Sequence, residues 1–442
     1  MQGNVYIPKI VQLYHPSGEL YASYHRFAEA HPEGSWFQSD AFFRFISMWP
    51  EAKPILLVAL REAALRDPGL RYSKTMDPGR RTEHPTTQQS QQAPEANSSP
   101  LGSLLAVIIQ NPVPTMVNFF PLAGLYKRFT ARTVVYGGPL LAEGTRLERE
   151  MTLKTLLGAL QDATSKQSLF TQFRNFYDLT DCKPLFHERG YRYHDRLNLL
   201  VDTPDTDTVW KQMSSTRRRQ ARKSLANDAE LIYDPSPAQI DQYYDILKTL
   251  YRKKVRKPLP SRTFFHGLNP KSAQYTVPGF QQQHNHLSPE RRDPSLRSGR
   301  HPNPTTPIHQ NTLASGQPRC CPFITILVQH NNRIIGGITC PIHPGRAMYE
   351  WYVCGLDQEY KSRNIHPSVL ATWAALDYAA AQGIPRFDFM GLGKPEEHYG
   401  VRDFKARFGG QWVNHGRFSR VNKRVWYAVS EVVYNLKRLL MC

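Results

Sequence analysis

The sequence predicts a mixed α/β protein built from two similar halves, each a mixed sheet with flanking helices. Three observations carry this. Short apolar runs of strand length occur in pairs in both halves. In the second half the order of signals is strands, helix, strand, as in a mixed α/β unit. Two long polar stretches interrupt the halves without contributing periodic apolar residues.

In the first half, Pro54-Ile-Leu-Leu-Val-Ala-Leu60 and Ser103-Leu-Leu-Ala-Val-Ile-Ile109 read as neighbouring strands. In the second, Phe323-Ile-Thr-Ile-Leu-Val328 and Arg333-Ile-Ile-Gly-Gly-Ile-Thr339 do the same, joined by a turn at Asn331-Asn332. Ala347-Met-Tyr-Glu-Trp-Tyr-Val353 reads as one further strand. A helix is expected from Pro367, because proline suits a first helical turn, to just before Gly383. Val369, Leu370, Trp373 and Leu376 recur along it at helical spacing. Arg386-Phe-Asp-Phe-Met390 is then a short strand.

Two helices are expected between the halves. One runs from Trp210 to about Leu225 and carries Arg217-Arg-Arg-Gln-Ala-Arg-Lys223. The other opens on the capping box Ser236-Pro237-Ala238-Gln239. The polar stretches, residues 66–102 and 268–318, are rich in Pro, Gln, Ser and Asn and are expected to be disordered. The domains expected are residues 1–200 and 201–420, with a C-terminal amphipathic helix over 421–442. That helix has two readings: packing on its own protein, or contact with an anionic membrane.

The 442 residues are 40% apolar and 11% aromatic, enough for more than one core. The formal net charge is +19, and the two polar stretches hold little of it. Such a surface attracts polyanions: nucleic acid, nucleotide-sugar diphosphates or anionic headgroups. Cysteines at 182, 320, 321, 340, 354 and 442 form no CxxC pair. No metal site is expected, and the irregularly spaced His284, His286, His301 and His309 read as a solvated loop. Met1 to Leu13 lacks the layout of a signal peptide, and no apolar run has membrane-spanning length. A cytoplasmic protein is expected, with contact at the inner face of the membrane as a further option.

From Trp210 onward the ordered signals resemble the Fem family of peptidoglycan-bridge aminoacyltransferases. They are Trp210, Arg218-Arg219-Gln220-Ala221-Arg222-Lys223, Pro260-Ser-Arg-Thr-Phe264, Ala379-Ala-Ala-Gln-Gly383, Phe387-Asp388-Phe389 and Phe404-Lys405-Ala-Arg-Phe408-Gly409-Gly410. Trp36-Phe37-Gln38-Ser39 and Tyr136-Gly137-Gly138-Pro139-Leu140 are weaker counterparts in the first half. The resemblance implies two tandem GNAT-like lobes facing each other across a cleft. It implies amide formation by transfer of an aminoacyl group from aminoacyl-tRNA to an amine of a cell-wall precursor, with no tightly bound cofactor. Where the family often has a substrate-binding lysine, eight residues after the glutamine, this chain has Ile46, and Arg44 is the nearest basic residue.

The resemblance assigns Phe404 and Lys405 to the acyl group, with Lys405 as a local cation on the developing oxyanion. On the residues alone, Lys405 reads rather as a lysine stem lying over a core aromatic, and it is the motif that turns the reading to function. Lys405→Met is expected to lower turnover with little effect on stability. Arg218, Arg219, Arg222 and Lys223 fall in pairs one helical turn apart, suited to phosphate oxygens or to a solvated basic face. The general base stays open between Asp388, on a strand expected to be buried, Glu350, and water or the substrate itself.

Two other functions compete. The first is an acyl-CoA-dependent N-acyltransferase acting on a surface-polysaccharide sugar or other amine. CoA-using GNAT enzymes usually carry a glycine-rich R/Q-x-x-G-x-G/A loop before the central helix, whose N–H groups cradle pyrophosphate. Here that stretch is Lys361-Ser-Arg-Asn-Ile-His-Pro367, without glycine. The second is a non-catalytic nucleic-acid-binding protein, which explains the charge but not Phe404-Lys405.

Overall fold

The computed structural model describes residues 8–61, 99–110, 130–255, 258–268, 323–397 and 400–430. The chain divides into two compact units, residues 1–194 with 416–442, and residues 195–415.

The first unit contains β1 (Lys9–Leu13), β2 (Ala52–Leu60), β3 (Gly102–Ile109), β4 (Arg132–Gly137), β5 (Leu140–Leu141), β6 (Phe170–Asn175) and β7 (Arg192–His194). The second contains β8 (Leu197–Asp202), β9 (Glu230–Ile232), β10 (Phe323–His330), β11 (Arg333–His343), β12 (Ala347–Tyr349), β13 (Tyr352–Gly355), β14 (Arg386–Gly391) and β15 (Gln411–Asn414). The chain then returns to the first unit as β16 (Arg417–Val421).

The first sheet runs β1-β2-β3-β4-β6-β16-β7, with β5 on β3. β4 and β6 are parallel and the other pairs antiparallel, so the sheet is mixed. Strands β2 and β3 pair as expected, Leu56 opposite Leu105. The helix Arg146–Thr164 opens on a Thr145/Glu148 capping box and buries Leu153, Leu156, Leu157 and Leu160 in the core beneath them. Each such side chain stabilises the unit by roughly 1.5–3 kcal/mol before chain entropy is counted.

The second sheet runs β15-β8-β14-β12-β11-β10-β9, with β13 on β11. Asn331 and Asn332 both take left-handed φ, 50° and 61°, which the tight β10–β11 hairpin requires. The helix Pro367–Ala381 lies under this sheet and is buried on nearly every side, its alanines permitting close approach. The helix Pro237–Leu250 starts at the expected box: Ser236 N–H donates to Gln239 Oε1 at 2.8 Å.

Three local expectations differ. Ala347–Val353 is two strands, β12 and β13, because Glu350 and Trp351 send their N–H groups to different partners, Asp388 O and Thr339 O. The helix expected from Trp210 is broken at Met213-Ser214 into Thr206–Gln212 and Ser215–Ala226. Ser214 ends one and caps the next, its hydroxyl accepting from Arg217 N–H and its own N–H donating to Arg407 O. The expected boundary at residue 200 falls inside β8, which pairs with β14 and β15 of the second unit, while β16 belongs to the first.

Of the stretches expected to be disordered, residues 66–98 and 269–318 lie outside the described residues, with the four histidines of the second. Gly102 starts β3, and Leu268 is buried. Residues 424–430 of the expected C-terminal helix are helical, and 431–442 lie outside the description. Among the described residues no helix is long and apolar enough to cross a membrane. Among them, too, no group of three or more His, Cys, Asp or Glu is placed to hold a metal ion.

Candidate active site

The chemistry-bearing residues of the second unit gather where the sheet forks. β12 and β14 pair in parallel at Met348–Phe387 and Tyr349–Asp388, and Glu350 N–H still reaches Asp388 O at 2.9 Å. Beyond that point the strands part. β13 pairs with β11, and β14 bulges between Asp388 and Gly391. Met390, inside the bulge, holds a left-handed φ of 57°, unusual for a residue with a side chain. Asp388 Oδ1 accepts the Met390 N–H at 2.5 Å and so fastens the bulge.

Lys405 sits at the fork. It comes from the helix Gly400–Ala406, and its side chain is buried. Its Nζ is 2.7 Å from Glu350 Oε1 and donates to Phe389 O at 2.6 Å. The ammonium thus joins the last residue tying β12 to β14 with the first residue of the bulge. An ammonium has three N–H donors, and among the described residues these two oxygens are its hydrogen-bond and ion-pair partners. Glu350 Oε2 is buried and has no hydrogen-bond partner among the described residues. Burial pushes the Glu350 carboxyl up from its ordinary range, and Lys405 pulls against that rise. Burial likewise pushes Asp388 up to about 6, opposed chiefly by the Met390 N–H. Cys340 is buried beside them, its thiol pushed well up by burial.

The rest of the Phe404–Gly410 motif is explained by packing. Phe404 and Phe408 stand one turn apart and hold the Arg217 guanidinium, 4.3 and 5.5 Å from their ring centres. Arg217 also donates to Gln220 Oε1 at 2.8 Å and to Phe404 O at 3.3 Å. Burial, with Arg407 nearby, lowers it to about 10. Gly409 and Gly410 both have φ near 90°, which permits the turn into β15. A Cβ on Gly409 would come within 2.9 Å of Gln212, and one on Gly410 would collide with Leu200 O.

The predicted basic residues separate. Arg218 donates to the carbonyls of Lys211, at 2.9 Å, and Trp210, closing the end of the preceding helix. Arg219 is exposed. Arg222 is exposed and lies over Trp210, 5.2 Å from the ring centre. Lys223 reaches Asn364 Oδ1 at 3.3 Å, in the loop before the buried helix. Arg44, in the first unit, is held by Asp40: its Nε donates to both carboxylate oxygens at 2.7 and 2.8 Å. Ile46 is buried beside it in the same helix.

The two first-half motifs contact each other. Gln38 Nε2 donates to Gly138 O at 2.8 Å, and Phe37 stacks on Tyr136 at 4.9 Å.

The loop before the buried helix holds a feature that sequence reasoning missed. Ser368 N–H donates to Asp357 Oδ1 at 3.2 Å, and its hydroxyl donates to Asp357 Oδ2. Pro367 has no N–H to offer. A carboxylate of the protein itself therefore occupies the positive end of this helix. Gly355 is needed for that contact, since a Cβ there would sit 2.5 Å from Ser368 Oγ. The sequence held only a weak signal, a serine following proline at a helix start.

Comparison with known proteins bears on this arrangement. Residues 279–406 match the family described as the acetyltransferase (GNAT) domain. The crystal structure of FemX aligns over 95% of this chain and 99% of its own, with a TM-score of 0.53 at 10% identity. A tandem GNAT protein from the clavulanic acid biosynthesis pathway aligns over 94% and 98%, with a TM-score of 0.46 at 9% identity. L-PGS from Bacillus licheniformis aligns over 75% and 85%, with a TM-score of 0.40 at 11% identity. No curated protein sequence matches the chain.

The chain has a Fem-like tandem GNAT fold. Its second unit carries the acyltransferase domain, and the fork, Glu350, Asp388 and Lys405 all lie within the matched residues. In this GNAT domain the buried helix Pro367–Ala381 follows the loop that carries the glycine-rich phosphate cradle in CoA-using enzymes. Asp357 stands at that helix end instead.

Proposed function

We propose that the chain forms an amide by transferring an aminoacyl group from aminoacyl-tRNA to an amine of a cell-wall precursor. The observation that carries the choice of donor is Asp357 at the start of the buried helix. A CoA pyrophosphate held there needs free N–H groups and a positive end. Pro367 supplies no N–H, the Ser368 N–H is taken, and the Asp357 charge repels a second anion. The positive charge of the chain suits a polyanionic donor, with Arg219, Arg222 and Lys223 as phosphate contacts. Aminoacyl-tRNA is a cytoplasmic donor, so this reading puts the reaction in the cytoplasm.

In this reading the acceptor nitrogen attacks the ester carbonyl at the fork. The C–N bond forms as the C–O bond to the ribose breaks, and the ribose oxygen leaves with a proton. In the same reading the Lys405 ammonium stabilises the negative charge that develops on the carbonyl oxygen. The proton lost by the amine has two acceptors nearby: Asp388, with its carboxyl pushed up to about 6, and the free oxygen of Glu350. Phe404 shapes the approach while holding Arg217.

The second reading, an acyl-CoA donor and a sugar or other amine as acceptor, is favoured by the acetyltransferase description of the matched family. A non-catalytic nucleic-acid-binding role leaves the buried Lys405–Glu350 pair unexplained. A donor screen separates the readings: purified protein with labelled aminoacyl-tRNAs, acetyl-CoA and longer acyl-CoAs, each offered an amine-bearing cell-wall precursor. Label is expected in the amide product from aminoacyl-tRNA. Transfer from an acyl-CoA alone replaces the donor assignment with the second reading.

A further inference from the structure

A second polar site lies in the first unit, made where the returning chain meets the end of the helix Lys183–Glu188. A cavity of about 580 Å³ is lined by Gln161, Arg189, Gly190, Arg420, Asn422 and Arg424. Glu188 also borders it, but its carboxylate is paired with Lys154 at 3.0 Å. The remaining lining charge is that of three arginines. Gly190 has φ 78°, and Arg420 Nε passes 3.5 Å from where a Cβ would stand. Arg420 is steadied by Asn422 Oδ1 at 3.1 Å. Fork-shaped donors lining a polar cavity suit a phosphate group.

Arg424 is also the first residue of the helical segment 424–430. At about 100° per residue, Tyr427 falls opposite Val425 and Val429. Tyr427 packs inward on Phe170, ring centres 5.9 Å apart. Val425 is 74% exposed, Val429 47% and Trp426 45%. The outward face of this helix is therefore apolar, the reverse of a solvated face, and it begins at the arginine cavity. Exposed valine and tryptophan next to three arginines match the boundary between the headgroups and acyl chains of an anionic bilayer.

The geometry points to a peripheral docking site for an anionic phospholipid surface. The Arg189–Arg420–Arg424 cavity takes a headgroup phosphate, and Val425, Trp426 and Val429 enter the interface. The site lies wholly in the first unit and does not depend on the reaction assigned to the second.

Vesicle co-sedimentation of the full chain tests it. Binding is expected to vesicles of phosphatidylcholine mixed with phosphatidylglycerol, and little to phosphatidylcholine alone. Val425→Ser with Val429→Ser should abolish it. Arg189→Gln with Arg424→Gln should weaken it roughly thirtyfold, at about fivefold per arginine near such a surface. Inorganic phosphate should compete. Tryptophan emission should shift to the blue on binding, and Trp426→Phe should remove the shift. The substituted side chains are half-buried or exposed, so unchanged melting curves are expected of every variant. Equal binding to neutral and anionic vesicles overturns the proposal, as does binding that the variants leave unaltered. So does phosphate binding without vesicle binding. A dimer that Val425→Ser with Val429→Ser dissociates, in a chain that ignores vesicles, assigns the apolar face to a second copy and overturns it too.

Discussion

Lys405→Met separates a catalytic lysine from a structural one only if Glu350 is changed with it. Read from sequence, the substitution keeps the stem volume and leaves stability nearly unchanged. The structure revises that expectation. Lys405 and Glu350 are both buried and 2.7 Å apart, so removing the ammonium strands a carboxylate away from water. Breaking such a pair from one side costs about 3–5 kcal/mol. For a unit of this size that is a fall in melting temperature of roughly 6–20 °C. Glu350→Gln alone strands the ammonium and should cost a comparable amount. Lys405→Met with Glu350→Gln leaves no buried charge in the pair and should recover most of the loss. The assay is a double-mutant cycle read twice, by thermal melting and by single-turnover transfer from the donor found in the screen. If Lys405 stabilises the oxyanion, the double variant regains its melting temperature while turnover stays down by about 10²–10³. Recovery of both makes the lysine structural. A Lys405→Met protein that melts with the wild type refutes the reasoning, because the buried pair then contributes nothing to the fold.

Three further outcomes are expected. Asp388 has a folded-state pKa raised from 3.8 to about 6, so its contribution to stability is fully present below about pH 3.8 and lost as pH rises through about 6. Asp388→Asn keeps an acceptor for Met390 N–H, so its stability advantage over the wild type should grow from pH 4 to 7, to at most about 3 kcal/mol. A pH-independent difference in chemical denaturation rejects that assignment, and turnover that falls below pH 6 in the wild type and is lost in Asp388→Asn marks it as the base. Asp357→Ala frees the Ser368 N–H and removes the anion at the helix start, so coenzyme A should bind about tenfold more tightly by calorimetry; unchanged affinity means the helix end was never the obstacle. Gly355→Ala drives a methyl against Ser368 Oγ and should lower the melting temperature, while a neutral result shows that the Asp357–Ser368 contact has room to move.

The fold was legible because its strands and helices announce themselves through local chemistry. The Asn331-Asn332 turn, the Ser236–Gln239 box and the apolar runs of β2, β3, β10 and β11 each act within a few residues and land where expected. The site was legible only in its parts. Glu350 and Lys405 are far apart in sequence, and no periodicity links them; what joins them is a change of hydrogen-bond partner between two adjacent residues, Glu350 and Trp351. A strand read as continuous over Ala347–Val353 hides that change, and with it the fork. Asp388 illustrates the same limit from another side. Burial was foreseeable from its apolar neighbours, but the bulge it fastens depends on the left-handed Met390, which no side-chain pattern encodes. The basic run shows the converse: five similar cations in one helix have four different tasks. Arg217 is buried between aromatic rings, Arg218 closes a helix, Arg222 covers Trp210 and Lys223 reaches a loop, while Arg219 points to solvent. Charge is a property of the sequence, but availability for a ligand is a property of what else each cation must satisfy. A phosphate-binding surface on this helix therefore rests on Arg219, Arg222 and Lys223, and Arg219→Gln should weaken a polyanionic donor more than Arg218→Gln does. Salt-dependent binding of the donor measures that order, and the reverse order returns the run to a purely structural role.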